Sequence, residues 1–326
     1  MTKPIGFINR RQFALGGAAL VAAPMVSAQS SRTIRMVVPF PPGGTTDILG
    51  RAIAARLASQ LGVNVIVENR AGAGGSLGAT EVSRAAPDGN TLLMGHIGTL
   101  GVNPSIYPNL AYDPLRSFTP LAWVANVPNV LVVNAQSPAK DFASFIQMAR
   151  ANPGRLTHSS GGNGSAAHIT FEYLKQQAKI FMLHIPYRGT APSITDVMAG
   201  QVDSTFTGSP AVLPHIRSGR LRALAVSSAK RIESLPDVPT VAESGFPGFD
   251  ADQWYGVVGP AGMSAELVSQ FNTEINKALT SPEVARSLAA EGAVPMPSAP
   301  NAFRDLIARE IPRWAAVVKA GNVTAS

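Results

Sequence analysis

Apolar strands alternate with amphipathic helices along most of the chain. Residues 34–38 are mostly β-branched or apolar, which predicts a strand, and in 45–61 the apolar residues recur at helical spacing. Two more strands are predicted at 63–67 and 91–94, with a helix at 75–86 between them. Strands that are apolar along their whole length are typical of a parallel sheet covered by helices on both faces. The first part of the chain is therefore predicted to be an α/β unit.

The alternation stops near residue 107 and then resumes. Residues 107–118 are irregular and rich in proline and asparagine, and a β-prone stretch at 121–133 follows, broken by Pro128. Helices and strands alternate again after it, which predicts a second α/β unit. Its predicted strands are 156–159, 181–185, 202–206 and 221–227, and its predicted helices are 142–149, 165–177, 193–199 and 211–218.

The last part of the chain is predominantly helical. After a segment rich in proline and glycine at 231–249, one strand is predicted at 254–258, followed by three helices without strands between them. We expect these helices, 265–279, 282–290 and 301–319, to pack back on the first unit. The predicted fold class is therefore α/β with two lobes and a ligand cleft between them. One lobe is predicted to contain 31–128 plus 248–326, and the other 129–247.

The N-terminal segment differs from the rest of the chain. It begins with basic residues and no acid, continues with a short apolar run from Phe13 to Val26, and ends in the small residues Ser27 and Ala28. This order is typical of a secretory signal peptide, so we predict a signal peptide at 1–28, cleavage near Ala28 and a periplasmic protein. The pair Arg10-Arg11 resembles a twin-arginine signal, and an ordinary Sec signal is the alternative.

Composition narrows the classes of partner. The formal net charge is +7, but three of the positive charges lie in the predicted signal peptide, and there is no block of Lys and Arg suited to nucleic acid. Cysteine is absent, which excludes a disulfide framework and a lipidated cysteine. No later apolar stretch reaches the roughly 20 residues of a membrane-spanning helix. We therefore expect a free monomer in the periplasm, without nucleic-acid partners.

A Gly-rich loop joins the first predicted strand to the first predicted helix. Its glycines allow a ligand to approach the backbone closely, and the helix start offers free N–H groups and a partial positive charge that favour a carboxylate. Asp47 suits either a helix cap or a bond from a donor group on the ligand, and both roles stay open. The candidate ligand-binding residues of this loop are Pro42, Gly43, Gly44, Thr45, Thr46 and Asp47.

A second Gly-rich loop occupies the equivalent place in the second unit. One such loop in each lobe predicts a ligand that is gripped from both sides. His168 follows early in the next helix, where it either faces the cleft or is a structural histidine. Tyr187 and Thr190 precede a further helix and are placed to close over a ligand. The candidate residues of this unit are Ser160, Gly162, Asn163, Gly164, Ser165, His168, Tyr187 and Thr190.

The sequence lacks the common motifs of enzymes and cofactor sites. The run Gly72-Ala73-Gly74-Gly75 lacks the third glycine of a dinucleotide-binding loop, because Leu77 stands there. It is expected instead as a third loop at the cleft or as a structural turn. No G-x-S-x-G or H-E-x-x-H motif occurs. We therefore predict no catalysis, no metal and no cofactor. The alternative is a periplasmic hydrolase that uses Ser165 and His168, three residues apart on one helix.

Five motifs in fixed order carry a resemblance to a known family. They are PFPPGGTTD at 39–47, ENRAGAGG at 68–75, APDGNTL at 86–92, HIPYRG at 184–189 and LPDVPT at 235–240. Together they are similar to the substrate-binding proteins of tripartite tricarboxylate transporters, the Bug or TctC family. The resemblance runs from about Ile34 to the C-terminus.

The resemblance implies a two-lobed periplasmic-binding-protein fold of the Venus-flytrap, type II-like kind. It implies that the protein delivers an organic acid to a tripartite membrane permease, without metal or cofactor. It also implies that backbone N–H groups and waters at 42–47 and 160–165 hold the ligand's carboxylate. We predict a hinged clamp, in which the carboxylate docks on one lobe and closure brings the other lobe onto it. A ligand-sensing input to a membrane kinase is the alternative to transport.

Overall fold

The computed structural model describes residues 1–2 and 32–325. The predicted signal peptide from residue 3 onward, with its cleavage site near Ala28, lies outside the described residues. The strands are β1 Thr33–Val38, β2 Asn64–Asn69, β3 Thr91–His96, β4 Phe118–Val127, β5 Asn129–Asn134, β6 Thr157–Ser160, β7 Leu183–Pro186, β8 Ser204–Gly208, β9 Leu221–Val226, β10 Gln253–Pro260 and β11 Val294–Pro295. The helices are α1 Thr45–Leu61, α2 Ser76–Ser83, α3 Asn103–Ile106, α4 Phe142–Ala151, α5 Ala166–Ala178, α6 Thr190–Met198, α7 Ser209–Arg217, α8 Ala265–Thr280, α9 Pro282–Ala290 and α10 Pro300–Ala320.

The first sheet has the strand order β11-β4-β10-β3-β1-β2. β1 lies parallel to β2 and β3, as the apolar strands predicted, whereas β10 runs antiparallel to β3 and β4. The sheet is therefore mixed. The expectation that no strand interrupts the C-terminal helices is wrong, because β11 pairs with β4 between α9 and α10. With two residues, β11 is too short to produce a periodic pattern.

The second sheet has the strand order β7-β6-β8-β5-β9. β6 lies parallel to β7 and β8, and β5 runs antiparallel to β8 and β9. The chain enters this sheet at Pro128, which separates β4 from β5, and returns to the first sheet between β9 and β10. We call the first sheet with its helices lobe 1 and the second sheet with α4–α7 lobe 2. The residue limits predicted for the two lobes stay a prediction.

Both faces of the first sheet are buried at its central strands β1 and β3, which explains why these two strands are mostly apolar. Ile34, Met36 and Val38 of β1 belong to the core that α1 covers, and Val37 belongs to the core on the opposite face, together with residues of α2. The second of these cores continues into lobe 2. None of the described helices is long and apolar enough to cross a membrane.

The C-terminal helix α10 packs on lobe 1, as expected, and also contacts lobe 2. On lobe 1 it lies against β4 and α3, and the buried Glu310 carboxylate accepts hydrogen bonds from the indole nitrogens of Trp254, at 3.1 Å, and Trp314, at 2.6 Å. On lobe 2 it lies against α5, where the Gln176 amide donates to the Val317 carbonyl at 2.9 Å. The helix therefore joins the two lobes on the side of this shared core.

Candidate functional site

The loop between β1 and α1 presents an uncapped helix start. Gly43 has a φ of +85°, which favours glycine, and Gly44 is the N-cap residue of α1. No side-chain hydrogen bond caps this helix at Gly44, so Asp47 does not take the helix-cap role, one of the two that the sequence leaves open for it. Thr45 and Thr46 follow it and are almost completely buried. The Asp47 N–H bonds to the Gly44 carbonyl at 3.0 Å, so the N–H groups of Thr45 and Thr46 are left to other partners.

Asp47 shapes this loop from behind. Its carboxylate accepts hydrogen bonds from the Gly43 N–H at 3.0 Å, from Arg51 Nε at 3.1 Å and from the Asn69 amide at 2.9 Å. Burial alone would raise the pKa of Asp47, but the bonds from Arg51, Asn69 and Gly43 hold it below its usual range. Asp47 is therefore an ionised residue whose carboxylate is occupied by groups of its own lobe.

The loop between β6 and α5 is built differently. Gly162 and Gly164 have φ angles of +125° and +73°, and Ser165 caps α5 by accepting a hydrogen bond from the His168 N–H at 3.4 Å. This side-chain cap occupies one of the free N–H groups at the helix start. The two loops therefore offer unequal surfaces, because only the loop before α1 leads into a helix without a side-chain cap.

A third Gly-rich turn lies beside these loops. Gly72, Ala73, Gly74 and Gly75 all have positive φ, and Ala73, at +47°, adopts a conformation that residues with a Cβ rarely take. A Cβ on Gly74 would lie 3.1 Å from the Asn163 carbonyl oxygen of lobe 2. The turn therefore approaches the second loop closely, in agreement with the expectation of a third loop at the cleft.

Two connected chambers lie between the lobes. The outer chamber has a volume of about 490 Å³ and is lined by the 71–75 turn, by Phe40 and Tyr107, and by 161–163 and 186–189 of lobe 2. The inner chamber has a volume of about 30 Å³. Because one water molecule needs roughly 10–15 Å³ of such volume, the inner chamber is large enough for a carboxylate group and little more. Phe40, Pro41 and Gly161 line both chambers.

The inner chamber is polar but carries no Lys, Arg, Asp or Glu in its lining. Its polar residues are Thr45, Thr46, His96, Ser165, Thr190, Thr207, Gln253 and Tyr255. His96 Nδ1 accepts a hydrogen bond from the Thr99 N–H at 3.2 Å, which places the ring proton on Nε2. Burial lowers the pKa of His96 to about 3, so the ring is neutral at physiological pH. The chamber therefore offers neutral donors from both lobes.

The outer chamber has a single charged side chain in its lining, that of Arg188. The Tyr187 hydroxyl donates to Asp196 at 2.5 Å, and burial together with Asp196 raises the pKa of Tyr187 to about 12. The tyrosine is therefore neutral and its ring is fixed as part of the wall. Among the described residues, no group of three or more His, Asp or Glu side chains has a geometry that could hold a metal ion.

The lobes touch through glycines, which places the structure in a closed arrangement. A Cβ on Gly208 of lobe 2 would lie 2.5 Å from Thr45 Oγ1 of lobe 1, closer than Cβ atoms approach other atoms. A Cβ on Gly189 would similarly lie 2.9 Å from Pro41 Cγ. These contacts bring the two lobes together at Pro41 and Thr45, which line the inner chamber.

The structure brings eight of the fourteen predicted site residues to the chamber walls. They are Gly44, Thr45, Thr46, Ser165 and Thr190 in the inner chamber and Gly162, Asn163 and Tyr187 in the outer one. Six line neither chamber, namely Pro42, Gly43, Asp47, Ser160, Gly164 and His168. Several of these six support the loops from behind, because a residue on a tight loop can shape the backbone without facing the ligand.

Sequence reasoning missed four buried polar residues of the inner chamber, namely His96, Thr207, Gln253 and Tyr255. His96 ends β3, and Gln253 and Tyr255 lie on β10, which runs antiparallel beside it. The position of His96 at the carboxyl end of a parallel strand was a usable signal. No local pattern marks Gln253 and Tyr255, because they reach the site only through the return of the chain to the first sheet.

Comparisons with known proteins identify the family. The model of the tripartite tricarboxylate transporter family receptor, TctC, matches residues 49–323. BugT from Bordetella pertussis is 41% identical over 302 residues, which cover 92% of this chain and 92% of BugT. The predicted family resemblance is therefore confirmed.

Solved structures agree with this assignment. A structure of an R. palustris protein with adipate is 35% identical with a TM-score of 0.88, and the match covers 91% of this chain and 99% of that one. MatC from Rhodopseudomonas palustris with bound malate is 36% identical with a TM-score of 0.84, covering 88% and 99%. The two-lobed periplasmic-binding fold predicted from the sequence is thereby confirmed. The chain belongs to the tripartite tricarboxylate transporter receptor family, the periplasmic solute-binding proteins of the Bug or TctC type.

Proposed function

We propose that this protein captures a small organic acid between its lobes and delivers it to the membrane subunits of a tripartite tricarboxylate transporter. In this proposal residues 1–28 are removed as a signal peptide, and the mature monomer works in the periplasm without metal or cofactor. Its lobes comprise 31–128 with 248–326, and 129–247.

One observation carries the proposal: an uncapped helix start adjoins a chamber of carboxylate size. Gly44, Thr45 and Thr46 begin α1 and line the inner chamber. Free N–H groups and the helix dipole favour an anion there by about 0.3–2 kcal/mol, and hydroxyl groups add further donors. Because no charged side chain lines the inner chamber, neutral hydrogen-bond donors would hold a bound carboxylate. Binding without an ion pair suits a protein that must also release its ligand.

The outer chamber suits the remainder of the ligand. Its walls of aromatic residues and glycines can be complementary in shape to a solute, and Arg188 supplies a positive charge in the lining. The adipate and malate in the two matched structures are acids of a size that fits about 490 Å³. These similarities support an organic acid as the ligand of this chain.

The hydrolase alternative is disfavoured by the orientation of His168. Its Nδ1 accepts from the Gly164 N–H at 3.2 Å, and its Nε2 lies 3.7 Å from Glu172 Oε1. Ser165 Oγ, in turn, accepts from the backbone N–H of His168 and not from its ring. A serine nucleophile needs a ring nitrogen that can accept its proton, and neither nitrogen is turned toward Ser165.

Calorimetric titration of the mature protein with adipate, malate and their diamides tests this function. We expect one acid to bind with one-to-one stoichiometry and to be recovered unchanged, while its diamide binds at least 10-fold more weakly. Equal affinity for acid and diamide, or conversion of the acid to a product, would contradict the proposal. Loss of uptake of that acid after deletion of the gene would then separate transport from sensing.

A further inference from the structure

The two chain connections between the lobes are tied together by the side chain of Asn129. Asn129 begins β5 directly after Pro128, while Ala251 precedes β10 and Gln253 begins it. The Asn129 amide nitrogen donates to the Ala251 carbonyl at 2.8 Å and to Thr170 Oγ1 at 3.0 Å, and its amide oxygen accepts a hydrogen bond from Gln253 Nε2. Asn129 is fully buried and lines neither chamber, whereas Gln253 lines the inner one. The bond between them therefore connects the crossing of the chain to the wall of the inner chamber.

The Ala251 carbonyl fixes the orientation of both side-chain amides. A backbone carbonyl can only accept a hydrogen bond, so Asn129 must turn its NH2 group toward Ala251 and its oxygen toward Gln253. An amide oxygen can likewise only accept, so Gln253 turns Nε2 toward Asn129 and Oε1 toward the Tyr255 hydroxyl. The positions of nitrogen and oxygen in Gln253 are therefore set by the backbone of the second connection.

Tyr255 supports this orientation from the other side of Gln253. Its hydroxyl donates to Gln253 Oε1, and burial raises the pKa of Tyr255, so the phenol keeps the proton that it donates. Tyr255 lines the inner chamber, but its proton is already used by Gln253. Of these two residues, Gln253 is therefore the one with a proton left to donate.

Gln253 Nε2 carries two protons, one of which has no acceptor in the protein. Within residues 32–325, Asn129 Oδ1 is the one acceptor to which this nitrogen donates a hydrogen bond. A Cβ on Gly208 would lie 3.2 Å from Gln253 Nε2 and 2.5 Å from Thr45 Oγ1, so the amide and the first hydroxyl of α1 lie near the same point of lobe 2. The second N–H of Gln253 can therefore join the uncapped helix start in binding one carboxylate.

We propose that Gln253 donates a hydrogen bond to the carboxylate in the inner chamber, and that Asn129 is the positioning residue of Gln253. The inference rests on the proposed function for the ligand but not for the orientation of the amides. Because Gln253 presents an N–H while its oxygen is held by Tyr255, the chamber favours a group that accepts hydrogen bonds over one that donates them. A carboxylate, which can only accept, is bound more tightly than a carboxamide for this reason.

Two substitutions separate the donor from the residue that positions it. Gln253→Glu keeps the size of the side chain, but its carboxyl group has at most one proton, which Asn129 Oδ1 takes, so none remains for a ligand. Asn129→Ala removes the acceptor that holds Nε2 and leaves Gln253 itself intact. Asn134→Ala is the matched control, because Asn134 ends the same strand β5, donates to the Met198 carbonyl and lines neither chamber.

The probe is the organic acid that binds most tightly in the calorimetric panel. Gln253→Glu is expected to raise its Kd by at least about 10-fold, which corresponds to one hydrogen bond to a charged group. Asn129→Ala is expected to raise it by about 2- to 12-fold, because the freed Gln253 side chain must be ordered on binding, and Asn134→Ala is expected to leave it unchanged. In a protein that already carries Gln253→Glu, Asn129→Ala is expected to raise the Kd no further, because it acts through the missing donor.

Three results would each overturn the inference. They are wild-type affinity in Gln253→Glu or Asn129→Ala, an equal loss of affinity in Asn134→Ala, and additive losses in the double variant. Additive losses would mean that Asn129 supports the fold without acting through Gln253.

The orientation of the amide can also be observed without any ligand, which keeps this test distinct from that of the proposed function. The side-chain NH2 resonances of Gln253 are those that disappear from the NMR spectrum of the free protein in Gln253→Glu. In the wild type and in Asn134→Ala, the proton bonded to Asn129 is expected to resonate downfield of the other. In Asn129→Ala the separation is expected to fall toward that of an exposed glutamine. A separation that Asn129→Ala leaves unchanged would overturn the inference even if no acid in the panel binds.

Discussion

Gly208→Ala should weaken ligand binding without touching the ligand. Gly208 does not line either chamber, and its φ of −55° is open to alanine. In the closed arrangement the added Cβ would lie 2.5 Å from Thr45 Oγ1 of the opposite lobe, so the lobes would have to separate by about 1 Å to relieve the overlap. Overpacking of this kind costs about 1–3 kcal/mol, which corresponds to a rise in Kd of about 5- to 150-fold.

Calorimetry and small-angle X-ray scattering would measure the two consequences. We expect a higher Kd and a smaller ligand-induced compaction in Gly208→Ala, while its unfolding temperature in the absence of ligand is unchanged or slightly raised. Gly219→Asn is a suitable control, because a Cβ there has no atom within 4 Å and asparagine tolerates its φ of +70°. Wild-type affinity with full compaction in Gly208→Ala would refute the closure contact.

Three further predictions concern stability. Asp47→Asn should lower the free energy of unfolding by about 1–3 kcal/mol, because it weakens a buried set of hydrogen bonds, and urea denaturation would show this. Lowering the pH from about 6.5 toward 4 should destabilise the fold by up to about 1.4 kcal/mol per pH unit for each of His96 and His158. The reason is that these histidines have a lower pKa in the folded protein, so the unfolded chain binds their protons at a higher pH than the folded chain does. An unchanged urea midpoint at pH 5 would contradict this. Glu310→Leu should lower the free energy of unfolding by about 2–4 kcal/mol, because it leaves two buried indole N–H groups unpaired. The red shift of tryptophan emission on denaturation would give the midpoint, and an unaltered midpoint would argue against the prediction.

The elements that line the inner chamber at the start of α1 follow from local patterns. The apolar spacing of 45–61 matches α1 residue for residue, and the Gly-rich loop before it adopts the expected position at the carboxyl end of β1. Pro128 also separates β4 from β5, since proline cannot donate to a strand ladder. In these places the structure is decided by nearby residues, so the sequence is sufficient.

The roles of Asp47 and His168 depend instead on partners that are distant or turned away from the cleft. The sequence leaves Asp47 open to contact with a ligand, but in the structure Asn69 and Arg51 occupy its carboxylate. His168 is oriented by Glu172 and Gly164, whose positions a helical pattern does not reveal. Tyr255 similarly lines the inner chamber from β10, the strand with which the chain returns from the second sheet to the first. Sequence reasoning therefore located the loops at the two chambers but did not separate residues that line a chamber from residues that shape the loops.

A crystal structure of the mature protein with its tightest-binding organic acid would test the central claim most directly. We predict a carboxylate in the inner chamber, with its oxygens within hydrogen-bond distance of the N–H groups and hydroxyls at Thr45 and Thr46, and the rest of the ligand in the outer chamber. A carboxylate that instead pairs with Arg188 while the inner chamber stays free of ligand atoms would contradict the account.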